Sequence, residues 1–192
     1  MLYTAIVNVL DHHIHLTDEA CEILFGKREL EPVKTLSKGE FIPAETVTVV
    51  SPKGQIGGFS LRCGSGQHQV QVEILKRDCF TLGIDVPLSD ASSLENAAPI
   101  KLIGTVGELD LEHAAIIAER HFLMGGKVME ALGIKDRGYA AAKSKGDRSI
   151  IFNRCQAQYI GDHDKAFLIM DLEEANAAYL KSGDIVEVIN EV

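Results

Sequence analysis

HIHLTDEACEIL (residues 13–24) and HFLMGGKVMEAL (residues 121–132) are two copies of one sequence pattern. Each copy follows an apolar run that is typical of a buried strand, and each continues into a short helix with acidic and apolar residues. The matched positions are His13 with His121, Leu16 with Met124, Glu22 with Glu130 and Leu24 with Leu132. This repeat predicts two related domains, which we place at residues 1–97 and 98–192.

Short strand-like runs, broken by Gly, Pro and Ser, fill most of the chain between and after the two copies. They include residues 3–10, 46–50, 58–62, 69–74, 100–103 and 185–189. Helices are predicted at residues 18–24, 111–119, 127–132 and 173–180. The pattern is mainly β with short covering helices, which favours small barrels or sandwiches.

Composition narrows the class of protein. With 192 residues and 46% hydrophobic residues, the chain can bury one large core or two small ones. A net charge of −9 argues against sequence-independent binding of nucleic acid. No apolar run approaches the length of a membrane span, and the N-terminus has no signal-peptide pattern, so we expect a cytoplasmic protein.

The first copy places two histidines where a strand presents them on one face. Side chains at positions i and i+2 of a strand project the same way, so His13 and His15 lie together and His12 faces the other side. This spacing offers both imidazoles to one metal ion. The alternative is that the histidines are solvated or make structural hydrogen bonds.

Residues 67–74 (QHQVQVEI) also carry a chemical signal, because polar and apolar residues alternate along them. Gln69, Gln71 and Glu73 share one face of the predicted strand. Glu73 is a candidate third ligand beside the two histidines, which would leave a fourth position open, as in catalytic zinc sites. The alternative is the solvated exterior of a barrel.

Ordered motifs along nearly the whole chain give it a family resemblance. The chain resembles the phosphate propanoyltransferases, phosphotransacylases that exchange CoA and phosphate on a short acyl group. The motifs are DHHIHLT (11–17), which corresponds to the family's RHVHLS, PAETVTVVSPKG (43–54), QVQVEI (69–74), RDCFTLGID (77–85), IKLIGTVGELDLEHAAIIAERH (100–121) and DLEEANAAYLKSGDIVEV (171–188). The resemblance implies two β-barrel domains capped by short α-helices, with a two-zinc site at their junction.

The resemblance also implies ligands for the first zinc. They fall on His13, His15 and Glu73, all present here, and the open position of that zinc takes the CoA sulfur. Zinc lowers the pKa of a thiol, so the metal would make CoA a better leaving group.

The second half of the implied site is altered. Its three zinc ligands fall on His121, Leu123 and Ile169, and because leucine and isoleucine cannot bind a metal, we expect no second zinc. The phosphate-binding arginine of the family falls on Gln67, and losing its charge should cost on the order of 10² to 10³ in rate. Arg62 is a candidate replacement, although a solvated strand arginine is the alternative. Two candidate substrate-binding residues, Arg120 and Asn176, are retained.

Two hypotheses about function follow. The first is a zinc-dependent acyltransferase that moves a short acyl group between CoA and phosphate. The second is a non-catalytic homologue that keeps one zinc and affinity for CoA while it acts as a partner or regulatory subunit. The possible protein partners are a second copy of this chain, in a homo-oligomer, and enzymes associated with microcompartments. The N-terminal extension that targets some relatives to microcompartments is not seen before the first strand, which favours a free cytoplasmic protein.

Overall fold

The computed structural model describes residues 3–36, 39–64, 67–189 and 191. In chain order its strands are β1 (Tyr3–Leu10), β2 (His13–His15), β3 (Pro32–Thr35), β4 (Glu40–Pro43), β5 (Thr46–Val50), β6 (Gln55–Gly64), β7 (Gln71–Glu73), β8 (Leu88–Ser89), β9 (Ala98–Ile103), β10 (Glu108–Ala118), β11 (His121–Met124), β12 (Tyr139–Lys143), β13 (Ile151–Tyr159), β14 (Ala166–Asp171) and β15 (Ile185–Ile189). Its helices are α1 (Asp18–Phe25), α2 (Lys76–Leu82), α3 (Gly126–Leu132) and α4 (Leu172–Ala177).

The chain forms two compact units, each with a closed six-stranded barrel. The first unit is His12–Ala118, and the second combines Met1–Asp11 with Glu119–Val192. Strands of the first barrel follow the order β2-β7-β10-β9-β5-β6, and β6 pairs back with β2 to close it. The second barrel has the order β1-β14-β11-β13-β12-β15. The predicted fold class, mainly β with two related barrels and short helices, is therefore confirmed.

The two barrels have the same internal topology. The ring β2-β7-β10-β9-β5-β6 of the first barrel corresponds to the ring β11-β14-β1-β15-β12-β13 of the second. Each corresponding pair of neighbours runs in the same relative direction: for example, β2 is parallel to β6 and antiparallel to β7, just as β11 is parallel to β13 and antiparallel to β14. The repeat seen in the sequence is thus a repeat of the whole barrel.

The units differ from the predicted domains in their boundaries. A boundary at residue 98 assigns β9 and β10 to the second domain, whereas β9 pairs with β5 and β10 pairs with β7 in the first unit. Likewise, β1 pairs with β14 and β15 of the second unit rather than with the strands that follow it. Pairing between segments this far apart in sequence leaves no local composition signal, which is why the sequence pattern did not show it.

The helix predicted at residues 111–119 is wrong, because residues 111–118 belong to strand β10. The apolar run 114–117 is buried among strands β7, β8 and β9, all of which pair with β10. A short buried apolar run does not distinguish a helix from a strand by periodicity, so the pairing of neighbours decides the outcome.

Each barrel has its own apolar core. Ile14, Leu61, Val72 and Leu102 are fully buried in the first, and Phe122, Leu168 and Val186 are fully buried in the second. The four cysteines are free and buried. None of the helices within the described residues is long and apolar enough to cross a membrane.

Helix α1 is fixed directly after the H-x-H strand by caps and by a close contact with the β9–β10 turn. The Thr17 hydroxyl accepts a hydrogen bond from the backbone N–H of Ala20 (3.2 Å), and Gly26 ends the helix in the left-handed conformation. The carbonyl oxygen of Leu24 accepts a bond from the N–H of Val106 (3.0 Å). A Cβ atom at Gly104 would lie 2.2 Å from that carbonyl oxygen.

We predict that Gly104→Ala destabilises the protein by about 1–3 kcal/mol, since the new methyl group must push backbone atoms of α1 aside. Chemical denaturation measures this effect. Gly57→Ala is the control, because its Cβ would meet only the Thr48 Oγ1 atom at 3.4 Å. Equal stability losses in the two variants would show that α1 is not held in the way described.

Candidate metal centre

Strand β2 presents His13 and His15 on one face and buries Ile14 on the other. Ile14 is fully buried in the core of the first barrel, and His13 is 3% exposed. The strand lies between β6 and β7, so its position is fixed by hydrogen bonds along both edges. The alternation of a strand therefore converts the H-x-H sequence into two adjacent imidazoles.

Glu73 on β7 lies directly opposite His13 in the antiparallel pairing of β2 with β7. The Nε2 atom of His13 is 3.2 Å from the Nε2 atom of His15 and 3.5 Å from Glu73 Oε2. The Nε2 atom of His15 is 3.6 Å from Glu73 Oε1. These three residues are the one group of metal-ligating side chains found among the described residues, with their ligand atoms all within 4.8 Å of one another.

Glu73 carries a negative charge at neutral pH. Burial alone would raise the pKa of its carboxyl group, but hydrogen bonding to His15 and the nearby charge of His13 outweigh burial and lower the pKa to about 2. The cluster therefore combines one carboxylate with two imidazoles, a donor set that suits zinc.

Further polar residues hold these side chains in place. The Nε2 atom of Gln71 donates a hydrogen bond to Glu73 Oε1 (2.7 Å). The Nε2 atom of Gln67 lies 3.0 Å from Nδ1 of His15 and donates to Glu40 Oε1 (2.8 Å). Since Nδ1 is the ring nitrogen that points away from Glu73, His15 has a polar partner on each side. The sequence did not reveal Glu40, because its strand, β4, is distant from the motif in the chain.

The second copy has the same backbone arrangement with different side chains. His121 lies directly opposite Ile169 on β14, at the position where Glu73 stands opposite His13. Leu123 lies opposite Phe167. Nδ1 of His121 is 3.0 Å from the carbonyl oxygen of Glu119. His121 thus has neither a second histidine nor a carboxylate at the two positions that complete the cluster in the first copy.

The chain is similar to known proteins along nearly its whole length. A family model described as phosphate propanoyltransferase matches residues 6–181. The phosphate propanoyltransferase of Thermotoga maritima is 40% identical, over 96% of this chain and 88% of its own length. Those of Lachnoclostridium phytofermentans and Clostridioides difficile are 33% and 31% identical, each over 95% of this chain and over 86% and 88% of their own lengths.

The chain belongs to the phosphate propanoyltransferase family.

In this member of the phosphate propanoyltransferase family, the residue before His13 and the residue before His121 each contact a carboxylate. His12 Nδ1 is 3.0 Å from Asp78 Oδ2, and the His12 ring stacks on Phe59 at 3.9 Å between centroids. In the second copy, Arg120 pairs with Glu174. Both carboxylates stand at the third position of the helix that follows β7 or β14, so the two pairs are structural equivalents.

Arg120, a candidate substrate-binding residue, is engaged within its own unit. Besides the ion pair with Glu174, its Nε atom donates to the carbonyl oxygen of Asn153 (3.1 Å). Burial would lower the pKa of Arg120, but Glu174 raises it. The other candidate, Asn176, lies exposed on α4, two residues after Glu174. The sequence did not show Glu174 as the partner, although Glu174 stands in the motif DLEEANAAYLKSGDIVEV (171–188).

We predict that Glu174→Gln lowers the free energy of unfolding by about 1–3 kcal/mol, since it leaves a partly buried guanidinium without its counter-charge. Glu130→Gln removes the same charge from an exposed position on α3 and should have little effect. Urea denaturation of both variants tests this. If they unfold at the same midpoint as each other, the ion pair does not stabilise the second unit.

Proposed function

We propose that this protein is a phosphate acyltransferase that uses one zinc ion, held by His13, His15 and Glu73, to exchange a short acyl group between CoA and phosphate. The observation that carries the proposal is the convergence of these three side chains in a chain of this family. Acyl-CoA and phosphate are the substrates, in line with the activity that the relatives' names state.

The residues present fit a zinc ion. Two imidazole nitrogens and one carboxylate converge, and three protein ligands leave a position for substrate. When bound, zinc would supply Lewis acidity that lowers the pKa of a thiol and polarises a carbonyl group. The hydrogen bond that Gln71 donates to Glu73 would orient this ligand, as outer-shell partners do at other metal sites.

In the proposed reaction, a phosphate oxygen attacks the thioester carbonyl carbon of acyl-CoA. The C–O bond of the acyl phosphate forms, the C–S bond breaks, and CoA leaves with the electron pair of that bond as the thiolate. The chain's part is to hold the sulfur end of CoA beside His13 and His15 and to bring phosphate to the carbonyl carbon, which is catalysis by proximity and orientation.

We propose a single metal site rather than two. Leu123 and Ile169 supply no ligand atoms beside His121, although the strands that carry them are paired as in the first copy. Gln67 carries no charge, and its amide is shared between His15 and Glu40. A neutral amide binds phosphate less strongly than a guanidinium, so we expect slow turnover with phosphate.

A second candidate function rests on the same substitutions. Leu123, Ile169 and Gln67 together alter the half of the site that the family resemblance assigns to the second zinc and to phosphate. A non-catalytic homologue would keep zinc and CoA binding and act as a partner or regulatory subunit. Turnover separates the two candidates.

We predict that the zinc-loaded protein releases free thiol from propanoyl-CoA in the presence of phosphate, and that Glu40→Gln with Gln67→Arg raises kcat/KM by roughly 10²-fold. Gln67→Arg alone should gain far less, because Glu40 lies within hydrogen-bond distance and would neutralise the new charge. His13→Ala is the inactive control. If neither the natural sequence nor the double variant releases thiol while zinc is bound, the non-catalytic candidate holds.

We also predict that Gln71→Leu weakens zinc binding by about 10- to 100-fold, because Glu73 loses the amide that orients it. Competition with a chromophoric chelator measures this affinity. Gln69→Leu, at an exposed position of the same segment, is the matched control. Unchanged affinity in Gln71→Leu would show that the outer hydrogen bond has no part in binding the metal.

A further inference from the structure

Arg62 lies beside the candidate metal centre. Strand β6 runs parallel to β2, and Arg62 is the direct partner of His15 in that pairing. Its neighbours Leu61 and Cys63 are buried in the core, 0% and 4% exposed, so Arg62 faces away from the core, as His15 does. Because adjacent strands are about 5 Å apart, the Arg62 side chain starts next to the His15 imidazole.

The charge of Arg62 is not used by the protein itself. Among the residues that the structure describes, its guanidinium forms no ion pair, hydrogen bond or ring contact. The other arginines have partners: Arg28 pairs with Glu19, Arg77 with Asp78 and Arg120 with Glu174, while Arg148 and Arg154 stand over tyrosine rings, and Arg137 also has an interaction. A partly buried guanidinium is seldom left unpaired, because its desolvated donors lose free energy.

Glu40 is the nearest anion by sheet position and does not neutralise Arg62. It stands opposite Gly64 on the strand next to Arg62, but its carboxylate is bound by Gln67 and lies 3.8 Å from Nδ1 of His15. Arg62 therefore keeps a full set of donors on the face that carries His13, His15 and Glu73.

We propose that Arg62 binds a phosphate group of a substrate next to the His13–His15–Glu73 cluster. A guanidinium presents a planar set of donors that matches two oxygens of a phosphate, and its charge strengthens both hydrogen bonds. The inference deepens the proposed function, on which it rests, because it assigns the residue that holds the anionic part of the substrate. The phosphate group belongs either to inorganic phosphate or to CoA.

Calorimetric titration of the zinc-loaded protein with inorganic phosphate, and separately with CoA, tests this assignment. Arg62→Leu should weaken the binding of one of the two ligands by about 10- to 100-fold, and Arg62→Lys should recover part of it, since lysine restores the charge without the planar donors. Arg28→Leu removes the same charge from a paired surface position and should bind both ligands as the natural sequence does. Zinc content should be the same in all of these proteins.

Weaker binding of inorganic phosphate alone assigns Arg62 to the acceptor, and weaker binding of CoA alone assigns it to CoA. The inference is overturned if Arg62→Leu binds both ligands as tightly as Arg28→Leu does, or if the natural sequence binds neither. Thiol release with an unchanged KM for both substrates in Arg62→Leu would refute the inference and leave the proposed function standing. Weaker phosphate binding in Arg62→Leu, in a protein that releases no thiol, would support the inference and refute the proposed function.

Discussion

The placement of strand β2 between β6 and β7 is the constraint on which the candidate site depends. Burial of Ile14 in the first barrel fixes which face of β2 turns inward, and the period of a strand then turns His13 and His15 the other way. The same pairing sets Glu73 opposite His13 and Arg62 opposite His15. A slip of β2 by one residue would turn both histidines to the core face and away from Glu73 and Arg62, so the packing of Ile14 determines whether the site can form.

The second barrel has the same backbone arrangement as the first but different side chains at the positions of the metal ligands. Strands β11, β13 and β14 repeat the pairing of β2, β6 and β7, and Phe122 fills the core where Ile14 does in the first copy. A contact with a carboxylate just before β2 and β11 is also present in both copies, as His12 with Asp78 and as Arg120 with Glu174. Ile169 nevertheless stands where Glu73 does. The second barrel thus has the structural contact without the third ligand, which favours chemistry in the first barrel.

Much of the fold was readable from local pattern. Alternation and apolar runs predicted the strands around residues 46–50 and 185–189, and the repeat predicted two related domains. The long-range pairing of β1 with β14 and β15 could not be predicted, because the sequence near β1 does not indicate which distant strands it pairs with. The domain boundary was misplaced for that reason. The apolar run 114–117 was read as a helix because its burial on both sides removes the alternation that marks a strand.

For the candidate site, the sequence supplied the residues with strong chemical identity and missed those whose role depends on neighbours. The spacing of His13 and His15 and the end of the QVQVEI strand pointed to three side chains that the structure brings together. Glu40 and Glu174 were missed, since an acidic residue on a strand or a helix looks like any solvated charge until its partner is known. Gln67 was considered only as a lost arginine, whereas the structure shows it in contact with both His15 and Glu40.

The metal content of the purified protein tests the central claim most directly. Elemental analysis should find one zinc per chain, lost in Glu73→Ala and retained in His121→Ala, because only the first copy assembles three ligand side chains. Two zinc ions per chain, or one zinc that survives Glu73→Ala and disappears in His121→Ala, would contradict the assignment of the metal centre to the first barrel.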